Sequence, residues 1–170
     1  NCGAPALTLD ISSFTCSEVG ANTVYLIATD VNGNVDSTSA VVTVVDTVRP
    51  NVVSQNITIQ LDASGNASII TGDIDNGTTD ACNVVSLSLS KTSFTCSDVG
   101  ANTVQLIATD VNGNVDSAAA TVTVVDTVRP NVVTQNITIQ LDASGAVSIV
   151  PADIDNGTTD ACNVVSLSLS

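Results

Sequence analysis

Apolar and polar residues alternate with a period of two over short runs of this chain. Ile57, Ile59 and Leu61 are separated by Thr58 and Gln60, and Val85, Leu87 and Leu89 by Ser86 and Ser88. Val104, Leu106 and Ala108 take every second position between Gln105, Ile107 and Thr109, and Val122 and Val124 alternate with Thr121 and Thr123. Ile69 and Ile70 mark a further short strand, after a turn at Asp62–Gly65. Each run is bounded by Gly, Asn, Asp or Ser, and that combination predicts β-strands. No run keeps the 3.6-residue period of a helix, so none is predicted.

The pattern repeats. Pairing residues 1–90 with those 80 positions later gives 70 identities in 90 pairs, so the chain is a stretch of tandem repeat. The segment Asp46–Pro50 recurs as Asp126–Pro130. Proline cannot donate to a sheet and suits a junction. Cutting there leaves one complete unit, 51–130, preceded by the back part of a unit (1–50) and followed by the front part of another (131–170). About six or seven short strands per unit predict an all-β fold: tandem immunoglobulin-like antiparallel β-sandwich repeats of 80 residues. Phe94 is the expected core anchor, beside Cys96.

Composition narrows the function. Seventeen acidic residues face three basic ones, for a net charge of −14. Such a chain lacks the clustered Lys and Arg that nucleic acid requires. It has no His, which removes the commonest general base and transition-metal ligand. Its apolar share of 44% is too high for a disordered acidic chain, and its apolar runs fall far short of the roughly 20 residues of a membrane span. The absence of a targeting segment is read as a sign that both ends are cut from a longer protein.

The five cysteines also follow the repeat. Cys2 and Cys16 lie 14 apart, as do Cys82 and Cys96, while Cys162 copies Cys82. Equal spacing predicts bridges Cys2–Cys16 and Cys82–Cys96, with the partner of Cys162 at about position 176 by the same period. The alternative is a set of buried free thiols. Bridges would suit an oxidising exterior.

Two resemblances emerge. Asn1-Cys2-Gly3, Phe14, Val19-Gly20, Thr23-Val24, Ala28-Thr29-Asp30, Gly33-Asn34, Val42-Thr43-Val44 and Asp46 to Pro50 resemble the hyalin-repeat module, an immunoglobulin-like adhesion domain. The runs Phe94–Val104 and Ala108–Asn114 are similar to repeats of giant Bacteroidota cell-surface adhesins, among them gliding-motility adhesins exported by type IX secretion. The resemblance spans essentially the whole chain. It implies a secreted, cell-surface protein. It also implies O-glycosylation at the Asp-Ser/Thr-apolar sequences, whose acceptors are Ser37, Thr47, Ser117 and Thr127, at expected loop or junction positions.

Candidate chemistry is acidic. Asp30, Asn32, Asn34 and Asp36, repeated as Asp110, Asn112, Asn114 and Asp116, place oxygens at every second position. They are candidate calcium ligands, with Asp46 and Asp126 of the junctions, since calcium takes six to eight oxygens. The loop is no EF-hand: glycine comes fourth and Val41 stands twelfth. A plain hairpin with Asn-Gly at its tip is the competing reading. In an immunoglobulin-like unit the loop Asp110–Asp116 should face the junction Asp46–Pro50, where Arg49 competes with calcium as the neutralising charge. A second acidic group is Asp73, Asp75, Asn76 and Asp80, repeated 80 residues on. Ser88 and Lys91 have Ser-x-x-Lys spacing, but on an alternating strand and without companion motifs, so no catalytic residue is assigned.

The expected role is structural: a stalk or filament segment of a long adhesin, requiring no cofactor and with calcium as the candidate ion. Its expected partners are neighbouring repeats of the same chain, other filament chains, surface glycans or the substratum. Alternatives are a repeat that itself binds glycan or protein, and a filament subunit that exchanges strands. With Tyr25 its one Tyr and no Trp, the chain is poorly equipped for sugar stacking.

Overall fold

A computed structural model of the chain describes residues 4–169. It is mostly β. The strands are β1 (Ala6–Leu9), β2 (Gly20–Thr29), β3 (Val35–Val44), β4 (Ile57–Gln60), β5 (Asn66–Ser68), β6 (Val84–Leu89), β7 (Ser93–Thr95), β8 (Gly100–Asp110) and β9 (Val115–Val125). Two four-residue helices, α1 (Thr71–Ile74) and α2 (Pro151–Ile154), occupy equivalent places in two repeats. They correct the expectation of no helix. Ile70, expected in a strand, instead precedes α1, and its backbone N–H donates to the Asp73 carboxylate at 2.8 Å. A single turn is too short to show a helical period.

Contacts gather into two compact units. One holds the described residues through Val52, with Thr78–Leu87 and Ala108–Asp116. The other holds Val53–Gly77, Ser88–Ile107 and the described residues from Ser117 onward. This interleaved division differs from the contiguous 1–50, 51–130 and 131–170 read from the repeat, although β4 to β9 all fall within 51–130.

In the first unit β1, β2 and β3 form an antiparallel sheet in that order. The second unit holds the antiparallel pair β5–β7, in which Ala67 faces Phe94, and most of a four-stranded sheet ordered β4-β9-β8-β6. There β4 runs parallel to β9, with Ile57 opposite Val122 and Ile59 opposite Val124. An all-antiparallel arrangement was expected. A parallel neighbour needs a long crossover, and the chain from β5 to β8 supplies it.

Alternation along β8 and β9 sets the core. Val104, Leu106, Ala108, Val122 and Val124 are essentially inaccessible, joined by Phe94, Ile69, Ile74 and Leu61. Burying each Val, Leu, Ile or Phe side chain among them contributes about 1.5–3 kcal/mol. The copies of these strands behave differently. Leu106 is 0% exposed, whereas Leu26, at the same place in β2, is 40% exposed. Burial depends on what covers a strand rather than on its own sequence, which is nearly the same in β2 and β8. Likewise 137–140 repeats the β4 sequence without forming a strand.

Phe94→Ala should therefore cost about 3–5 kcal/mol, the usual range for emptying a core phenylalanine site. Phe94 is 1% exposed, while its copy Phe14 is only half-buried, so Phe14→Ala should cost less than half as much. Denaturant unfolding followed by circular dichroism reads both; equal costs would contradict this assignment of the core.

Candidate functional site

β8 ends at Asp110, whose carboxylate organises the turn into β9. Its Oδ1 accepts from the backbone N–H groups of Asn112 (2.9 Å) and Asn114 (2.7 Å), and its Oδ2 from the Asn114 side-chain amide (2.8 Å). Gly113 takes a left-handed φ of +89°, which only glycine adopts without strain. Asp110 is 1% exposed. Burial pushes its carboxyl upward, but the hydrogen bonds from Asn114, Asn112 and Gly113 prevail and hold it below the ordinary value.

This turn meets the junction. The Asn112 side-chain amide donates to Asp46 Oδ2 at 2.8 Å, and that of Asn114 to the Asp46 carbonyl at 3.2 Å. Asp46 Oδ1 accepts from the Val48 N–H at 2.9 Å. A third carboxylate arrives from Asp80, whose Oδ1 accepts from the Cys82 N–H at 2.7 Å. One oxygen each from Asp46, Asp80 and Asp110 lies within 4.8 Å of the others. Asp80 Oδ2 is buried and has no hydrogen-bond partner. Arg49 is exposed, and among the described residues it forms no ion pair; Lys91 does, with Asp98. Three carboxylates thus converge with no ion pair to a basic side chain among the described residues.

The other candidates are placed apart from this cluster. Asp30 caps its own turn, accepting from Asn32 N (2.8 Å), Asn34 N (2.8 Å) and the Asn34 amide (2.8 Å). The Asn34 side chain is the main reason its carboxyl sits below the usual value. That is the hairpin arrangement. Asp36 and Asp116 lie in β3 and β9, outside the cluster. Asp126 accepts from the Val128 N–H at 3.0 Å, as Asp46 does from Val48. Asp73 caps α1, and its copy Asp153 caps α2 through the Val150 N–H at 2.8 Å. Lys91 is held by Asp98 and lies 4.9 Å from the centre of the Phe94 ring, so it is already engaged. Of the glycan acceptors, Thr47 and Thr127 lie in the junctions, but Ser37 and Ser117 are in strands β3 and β9 rather than loops; all four are exposed.

The cysteines need a larger correction. The bridges are Cys16–Cys82 and Cys96–Cys162, each spanning 66 residues, with Cα atoms 5.3 and 5.2 Å apart. Cys82 and Cys96 are therefore not partners, and Cys162 has its partner within the chain. Cys2 lies outside the described residues; the Cys2–Cys16 bridge is excluded because Cys16 is bonded to Cys82. The reason is arithmetic: with a period of 80, a pair of positions 14 apart within a unit is also 66 apart between consecutive units. Surroundings repeat as well. Cys16 Sγ lies 3.4 Å from the Ala81 carbonyl, and Cys96 Sγ lies 3.3 Å from that of Ala161. A Cβ on Gly65 would come within 2.6 Å of Cys96 Sγ, so glycine there makes room for the bridge.

Bridge and acidic cluster share one turn, Asp80–Asn83. The Cys82 N–H is fixed by Asp80, and Asn83 takes φ +82°. The copy keeps both features, with the Cys162 N–H 2.8 Å from Asp160 and Asn163 at φ +82°. Asp80 was noted in the sequence within another acidic group; its meeting with Asp46 and Asp110 depends on folding and has no local signature.

No protein-family model matches the chain, and no curated protein matches it. Among solved structures, an endo-fucoidan hydrolase of glycoside hydrolase family 107 is similar at a TM-score of 0.32 and 16% identity, over 74% of this chain and 23% of that one. A likeness of that size says nothing about activity. Among the described residues no helix is long and apolar enough to cross a membrane.

Proposed function

We propose that the chain is a stalk segment of a long, secreted cell-surface adhesin, built of immunoglobulin-like β-sandwich repeats and serving adhesion or gliding. The observation that carries this reading is the pair of bridges joining cysteines 66 residues apart in a chain of period 80. By the cut at Pro50 each bridge links a position in one repeat to a position in the next, while both cysteines of each bridge fall within one compact unit. Such links have a use when consecutive repeats must stay attached, and disulfides form outside the reducing cytosol. The role is mechanical, and the reading assigns no catalytic residue. Antibodies against the chain should label intact source cells as surface fibres. Label appearing only after permeabilisation would overturn the reading.

Calcium is the proposed ion at Asp46, Asp80 and Asp110. Calcium–oxygen distances are about 2.3–2.6 Å, so oxygens within 4.8 Å of one another can share one ion. The buried, unpartnered Asp80 Oδ2 supplies a lone pair that lacks a donor, and burying such an oxygen is costly without one. Water or nearby carbonyl groups would complete the shell. Added calcium should raise the melting temperature, chelator should reverse the rise, and Asp80→Asn should abolish it. A melting curve unmoved by millimolar calcium would remove the ion from the account.

A further inference from the structure

The bridge connectivity points to a second property: we infer that the disulfides form a load bypass, so that tension along the chain skips most of each repeat. A pulled chain transmits force through its shortest covalent path. From Cys16 that path crosses to Cys82, follows the backbone for 14 residue steps to Cys96, and crosses again to Cys162. The two 66-step loops lie off the path. They contain β2, β3, β4, β5, β8 and β9, whereas the loaded path contains only β1, β6 and β7.

The consequence is a limit on length. An extended backbone spans at most about 3.3–3.6 Å per residue, so 80 residues could reach about 280 Å, whereas 14 residues reach about 50 Å. A bridge adds 5.3 Å between Cα atoms. Strands of about nine residues with their loops would make a folded repeat roughly 35–45 Å long. The bypassed path is thus little longer than the folded repeat. Even with every sheet broken, the array could not lengthen much. Bridges between cysteines 14 apart would do the opposite, leaving 66 of every 80 residues free to extend. A thiolate could still open the bridges by exchange, so the limit should vanish on reduction. This inference depends on connectivity alone and stands whether or not the chain belongs to an adhesin.

Single-molecule stretching of the whole chain, held by non-cysteine handles at its two ends, tests it. With both bridges closed, 37 residue steps remain on the path, so extension should stop near 140 Å, at about 3.5 Å per step. A Cys16→Ser, Cys82→Ser double variant should reach about 370 Å, and the reduced chain about 590 Å. The limit is a contour length, so it is read whether or not a variant folds. An oxidised chain reaching about 500 Å would show the 14-residue pairing, and any limit above about 200 Å would overturn the bypass.

Discussion

Most of what is particular to this chain depends on the turn Asp80–Asn83. There a left-handed Asn83, a carboxylate holding the Cys82 N–H and a bridge to Cys16 occupy four consecutive residues. The turn fixes where one repeat is attached to material 66 residues upstream. It also carries Asp80 to Asp46 and Asp110. A 67-residue ring closed by a bridge is worth about 4 kcal/mol in chain-entropy arithmetic, against about 3 for a ring of 15 residues. For repeats of only 80 residues, whose cores are small, that contribution is large. The same turn recurs at Asp160–Asn163 with the same hydrogen bond and the same φ, so the device belongs to the repeat.

The copies also separate what sequence determines from what surroundings determine. β2 and β8 are nearly identical in sequence and both form long strands. Leu26 is nonetheless open and Leu106 closed, because a strand's conformation is local whereas its burial needs a second layer. The Asp30 and Asp110 turns show the same division. Each aspartate is hydrogen-bonded to an asparagine four residues on, but only Asp110 has an Asp46 and an Asp80 beside it.

Alternation made β4, β6, β8 and β9 legible, and Phe94 was picked out as the core anchor beside Cys96. The strand near Ile69 was displaced to Asn66–Ser68 because the polar residues after the Asp62 turn pair with β7, where apolar content gave no cue. The helices escaped notice for want of length. The parallel register of β4 on β9 could not be read, since alternation has no direction. The cysteine pairing was the instructive failure. Spacings of 14 and 66 describe the same positions in a chain of period 80, and only the folded arrangement chooses between them. Asp46 and Asp110 were picked out as candidates on residue type and on where their loops should lie, but Asp80 joined them through tertiary contact alone.

The central claim is that the bridges join cysteines 66 residues apart rather than 14, and one cut tests it. The chain contains a single lysine, Lys91, which lies between Cys82 and Cys96. A lysine-specific protease acting on denatured, thiol-blocked, unreduced protein should give fragments 1–91 and 92–170. With Cys16–Cys82 and Cys96–Cys162 closed, each bridge lies within one fragment, so the two should separate without reductant and appear as two masses. A single mass that splits only on reduction would mean that a cysteine before Lys91 is bonded to one after it, as a Cys82–Cys96 bridge would be, and would contradict the account.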